Sequence, residues 1–187
     1  MALLTPRPSA AGLLGRAMLL AWLWCIGSAH ADDALERQVK AAYLYKFAGY
    51  VEWPDGALPQ PDSPVVIGVA HDSALADQLE QMVAGRTASG HPLQVRRLRR
   101  GDSLAGVHML FAGSPSGDLL AAARGHPVLT VTDSTDAFAL GSMINFLVAD
   151  DRLRFEVALR PAAQAHLRIS ARMLTAATRV LQREGLP

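Results

Sequence analysis

The sequence predicts a three-layer α/β domain: a mainly parallel sheet flanked by helices, ending in an antiparallel C-terminal hairpin. Two observations carry this. Apolar runs at 65–70, 107–112 and 128–132 alternate with segments of helical periodicity, the pattern that builds a parallel sheet by crossover connections. Beyond them, 143–148 and 153–158 are strand-like runs separated only by Ala149-Asp150-Asp151-Arg152, which is hairpin spacing with turn residues.

The chain opens on a segment that reads as an export signal. Arg7 and Arg16 precede an apolar run from Ala17 to Ile26, and no acidic residue occurs before Asp32. Ala29-His30-Ala31 then supplies small residues at the two positions a signal peptidase reads, so cleavage is expected after Ala31. The apolar run is well short of the roughly 20 residues needed to span a bilayer. The expected organisation is therefore a signal peptide at 1–31, a single domain at 32–187 and a periplasmic location. Cleavage removes two arginines and leaves 16 basic against 17 acidic residues, net −1. That balance gives no reason to expect nucleic acid as a partner. Cys25 is the one cysteine of the chain and leaves with the signal. This excludes a thiol nucleophile, a cysteine metal site and a redox role for the mature domain.

Asp33-Ala-Leu-Glu36 has the form of a capping box, and Leu35, Val39, Ala42, Tyr43, Phe47 and Tyr50 follow at helical spacing. The helix should stop before Trp53-Pro54, because a residue preceding proline avoids the helical region. The proline-rich stretch 55–64 reads as a loop. Val65–Ala70 is a buried strand, and Ser73–Ala84 a helix stopped by Gly85. Leu93–Leu98 carries arginines and fits an edge strand. Val107–Ala112 is a second buried strand, 116–124 a short helix ended by Gly125, and Val128–Thr132 a third buried strand. After the hairpin, Met173, Leu174, Ala177, Val180 and Leu181 predict an amphipathic helix, capped near Ser170 and closed by Gly185, with Arg179 and Arg183 in its last turn.

Ligands of open α/β sheets gather beyond the carboxyl ends of the strands. Here those ends are His71-Asp72-Ser73, Gly113–Gly117 and Asp133-Ser134, which could hold a small anionic or zwitterionic ligand. Capping and turn formation explain the same residue types: Ser73 and Ser116 as helix caps, Asp133 as a turn former. Adjacent His71, Asp72 and Ser73 cannot converge on one reaction centre as a hydrolase triad does. Pro115 stands where a nucleophile elbow needs serine. The mature histidines (His71, His91, His108, His126, His166) show no i, i+4 pair and no cysteine joins them, so no metal is expected. No catalytic residue and no cofactor are expected either.

Arg96-Arg97 and Arg99-Arg100 read as a solvated, protected edge strand or as a docking surface for an acidic partner. The stretch from Tyr43 to Trp53 is richer. One helix face cannot bury Tyr43, Tyr45, Phe47 and Tyr50 together. Either some of these rings face a partner, or other elements cover the second face.

The stretch Val39-Lys-Ala-Ala-Tyr-Leu-Tyr-Lys-Phe-Ala-Gly-Tyr-Val-Glu-Trp-Pro54 resembles the opening signature of the YfiR-like periplasmic proteins. Val128–Asp133, Phe138, Gly141, Met143-Ile-Asn-Phe146, Arg154-Phe-Glu156, Leu167-Arg-Ile-Ser170 and Met173-Leu174 follow in the family's order, so the resemblance spans roughly 35–184. It departs in three places. The mature chain cannot form the disulfides of YfiR, Ser142 replaces a second glycine, and Leu159-Arg160 stands where an asparagine is expected.

The resemblance implies a non-enzymatic regulator that binds the periplasmic domain of an inner-membrane signalling protein and represses it. A diguanylate cyclase is the partner it points to, so that cyclic-di-GMP output and biofilm behaviour respond to the envelope. It further implies a homodimer and sequestration by an outer-membrane lipoprotein. The expected contact surface comprises Tyr45, Glu52, Trp53, Arg168 and Ser170, with Arg168 placed to anchor a carboxylate. The alternatives are a periplasmic small-molecule-binding protein serving a transporter or sensor, and a hydrolase.

Overall fold

A computed structural model describes residues 32–182, of which those from Arg37 onward form one body. The signal segment, with Ala29 and Ala31, lies outside the described residues, as do Arg183 and Gly185. Helix α1 occupies residues 32–48 and is followed by the short strand β1 (Val51–Glu52). Asp33 is already helical rather than a cap. Then come β2 (Val65–Ala70), α2 (Ser73–Val83), β3 (Thr87–Ala88), β4 (His91–Leu98), β5 (Met109–Ala112), α3 (Gly117–Ala123) and β6 (Leu129–Thr132). The chain continues through β7 (Ile144–Ala149), β8 (Arg152–Ala158), α4 (Leu159–Gln164), β9 (Arg168–Ile169), α5 (Ala171–Ala176) and β10 (Arg179–Leu181).

Eight strands form one sheet in the order β10-β8-β7-β6-β5-β2-β4-β3, parallel except at β7–β8 and β3–β4. The predicted class is therefore the observed one, including the hairpin. Every residue of β5 and β6 is buried, as expected of strands covered on both faces. Alternation assigns the faces. Ile67, Val69, Met109, Phe111, Leu129 and Val131 join the larger core with Leu44 and Phe47 of α1 and with Leu75 and Leu79 of α2. Ala70, Leu110 and Ala112 join Leu119 and Ala123 of α3 on the opposite face.

The second face of α1 proves to be covered. Phe47 stacks on Tyr43 and Phe146 at 5.8 and 5.9 Å and meets Phe155 edge-on at 5.0 Å. Tyr43 is half-buried against the same two hairpin rings. The β7–β8 hairpin supplies the aromatic partners that a lone helix lacks.

The C-terminal segment corrects the sequence reading. The expected helix ends at Ala176, and Arg179–Leu181 turns into an edge strand parallel to β8. Spacing alone fits both outcomes. Tertiary pairing decides: the Thr178 N–H donates to the Phe155 carbonyl at 2.9 Å, and Arg179 makes a two-bond fork with Glu156. Helix α4 has no counterpart in the sequence pattern, nor have the two-residue strands. Helix α2 is capped by Asp72, not Ser73: its carboxylate accepts from the Leu75 N–H at 2.9 Å. Strand β4 runs one place in from the sheet edge, and the two-residue β3 pairs only with its first residues, His91 and Pro92.

Candidate functional site

The residues singled out around Glu52 come together through a second, two-stranded sheet. Helix α1 ends at residue 48, and the Gly49 and Tyr50 N–H groups donate back to the Lys46 and Phe47 carbonyls. This turns the chain out into an extended segment that Trp53-Pro54 keeps from re-entering a helix. Val51 points into the core at 4% exposure, so Glu52 points out. Strand β9 pairs antiparallel with β1, setting Val51 opposite Ile169 and Glu52 opposite Arg168, and the Ser170 N–H extends the ladder to the Tyr50 carbonyl.

Arg168 and Glu52 thus form a cross-strand charged pair. Nε lies 3.5 Å from Oε2, with the side chains 84% and 68% exposed. A pair this long and this wet holds the fold weakly and leaves both charges available. Arg168 stands opposite Glu52, and the neighbour it meets there is a carboxylate of its own chain.

Trp53 is partly buried beside them. Its indole N–H donates to the His108 carbonyl at 3.1 Å, and the two rings meet edge-on at 6.1 Å. His108 is a strut. Its Nδ1 accepts from the Val66 N–H at 3.1 Å and its Nε2 sits 3.0 Å from the Ala57 carbonyl, which places the ring proton on Nε2. The imidazole therefore pins the loop after Trp53 to the start of β2. Glu52, Trp53, Pro54 and Asp55 border a cleft of about 530 Å³, closed on its other side by Ala88, Ser89 and His91.

Other predicted residues have local work. The Ser170 hydroxyl caps α5, accepting from the Met173 N–H at 3.4 Å. Tyr45 is half-buried, with the Arg86 guanidinium 5.2 Å from its ring centre. Tyr50 is roofed by Arg172 at 6.0 Å. Of the arginine run, Arg97 reaches Asp77 and Glu80 on α2, which raises its already high pKa, chiefly through the Glu80 bond. Arg96 donates to the Ser103 and Ala105 carbonyls. The run braces its surroundings.

The strand ends hold a group the sequence did not reveal. Lys40, 7% exposed, pairs with Asp133 at 2.7 Å. Asp133 therefore serves as a partly buried counter-ion just after β6. Next to it, the Thr132 hydroxyl lies 3.0 Å from both the Ser142 hydroxyl and the Asn145 side-chain oxygen. Ser142 donates to the Ile144 carbonyl at 2.8 Å. Ser142 is thus fully buried and satisfied. Nothing in the local sequence marks Lys40 as a core residue, because its partner is 93 positions away.

The chain is an α/β protein with a charged two-stranded ribbon beside an open cleft. The chain belongs to the YfiR/HmsC-like family, whose model matches residues 37–178. That is a family of periplasmic regulators tied to cyclic-di-GMP signalling, and membership favours a regulatory over a catalytic role. A comparison with curated proteins finds no match. Among the described residues no helix is long and apolar enough to cross a membrane.

Proposed function

We infer that the protein is exported to the periplasm and regulates an inner-membrane signalling protein, a diguanylate cyclase, by binding its periplasmic domain and holding it in the less active state. The observation that carries this reading is the β1–β9 ribbon within the family-matched region, where Glu52 faces Arg168 and Trp53 follows directly along the chain. Repression then needs no chemistry. A partner with two conformations shifts toward the one that the ribbon binds better, by as much as the two affinities differ.

Deletion of the gene should raise cellular cyclic-di-GMP, and the restored full chain should lower it again. The double reversal E52R/R168E keeps the local charge balance but inverts the pattern, and it should fail to restore repression. R99E/R100E, just beyond the end of β4, should restore it. Unchanged cyclic-di-GMP on deletion, or full rescue by E52R/R168E, would sink the reading.

A further inference from the structure

We propose that the cleft beside the ribbon binds a basic side chain, an arginine or lysine borne on an apolar segment of the partner. This deepens the functional reading above and rests on it for the partner's identity. The chemistry of the cleft is mixed in a particular way. Trp53, Pro54, Leu58 and Pro59 give it an apolar lining, while Glu52 and Asp55 carry its two carboxylates. Among the described residues no lysine or arginine lines it. A volume of about 530 Å³ lies within the range of ligand-sized sites.

Each neighbouring group that could answer the two carboxylates is weakly placed or engaged. Arg168 reaches Glu52 only at 3.5 Å with 84% of its side chain in water. The His91 Nδ1 lies 2.9 Å from the Ser63 carbonyl. The indole N–H of Trp53 is committed to His108, so toward a ligand this residue offers ring surface, the best side-chain π surface for a cation. A long basic side chain matches all three features: its methylene stem lies on the apolar lining and its head stays at the wet, acidic rim. A carboxylate ligand would meet two like charges.

The contrast with the other large cleft supports the choice. That cleft, of about 580 Å³, holds Asp102, whose carboxylate already accepts from the Arg99 N–H at 2.8 Å.

Trp53 makes the test direct. Trp22 and Trp24 are the other tryptophans of the chain, so the full chain carrying W22F and W24F reports on Trp53 alone. The probes are N-acetyl-leucyl-argininamide and the α-amide of N-acetyl-leucyl-glutamic acid, titrated while Trp53 emission is followed. The basic dipeptide should change the emission saturably and the acidic one should not. E52Q/D55N should weaken the basic probe about three- to tenfold, the scale of two exposed charge pairs. R168A removes a competitor and should leave binding equal or up to about twofold tighter. The proposal is overturned if the basic probe gives no saturable change, if both probes act alike, if E52Q/D55N leaves affinity unchanged, or if R168A weakens binding. Should the probe fail while E52R/R168E still abolishes repression, the cation site is lost and the regulator reading stands. The reverse pattern keeps the site and removes the regulator reading.

Discussion

Gly68 sits in the middle of β2 with strands on both sides, and replacing it by alanine tests how that strand is packed. A Cβ there would lie 2.6 Å from Leu98 Cδ1, 3.4 Å from Leu98 Cγ and 3.2 Å from Val107 Cγ1. Carbon contacts ordinarily settle at about 3.5–4.0 Å. Leu98 and Val107 are 6% and 4% exposed and pack in one cluster with Leu119 and Ala123 of α3, so any shift of theirs disturbs that packing. Overpacking of this kind costs about 1–3 kcal/mol, while alanine regains about 0.5–1 kcal/mol of the entropy that glycine loses in a strand. The net expectation for Gly68→Ala is a loss of about 0.5–2 kcal/mol. Leu98→Ala alone opens a cavity and should cost about 2–5 kcal/mol. In the double variant the new methyl enters the space Leu98 vacated. The cost of Gly68→Ala should then vanish or change sign, a favourable coupling of about 1–2 kcal/mol. Urea unfolding of the four proteins, followed by circular dichroism, measures the cycle. If Gly68→Ala costs the same in both backgrounds to within about 0.5 kcal/mol, the packing argument is wrong.

Three further outcomes are expected, the first two from the same urea unfolding and the third from thermal unfolding. Lys40→Met strands Asp133 beside the core and should destabilise by about 2–4 kcal/mol, whereas Asp133→Asn should cost less because that side chain is 24% exposed. Equal and negligible losses would show that the pair contributes nothing to stability. Phe47→Ala removes the ring that Tyr43, Phe146 and Phe155 surround, and should cost about 3–5 kcal/mol. A loss under about 1 kcal/mol would contradict the aromatic core. Asp150 and Asp151 turn the hairpin at φ 51 and 54, a geometry that favours asparagine then glycine, so Asp151→Gly should raise the melting temperature by about 1–4 °C. A lower melting temperature would show that the aspartate makes a compensating contact.

Much of the fold is written in local pattern. The strands of the sheet's interior, the hairpin, and the helices at 73–83 and 117–123 follow from apolar runs, periodicity and turn residues, because each of those signals acts over a few positions. The family can likewise be read from the stretch ending in Glu52-Trp53-Pro54 and the motifs of the second half. Glu52, Trp53 and Arg168 are nameable as candidates from their motifs, but nothing along the chain requires them to touch. Only the antiparallel pairing of β1 with β9 places Arg168 against Glu52, across a separation no local rule spans.

The same limit explains what local pattern misses. Residues 179–181 have helical spacing yet form a strand, since an exposed edge at β8 offers hydrogen bonds that a further helical turn would leave unused. Lys40 looks like a surface lysine until α1 packs over the sheet and brings Asp133 to its amine. Composition and periodicity determined which segments of the sheet's interior are strand, which of its flanking segments are helix and which face of each is apolar. The tertiary structure decided that Lys40 is buried against Asp133 while Glu52 and Arg168 stand exposed on the ribbon, because electrostatic partners are chosen by proximity in space and not along the chain.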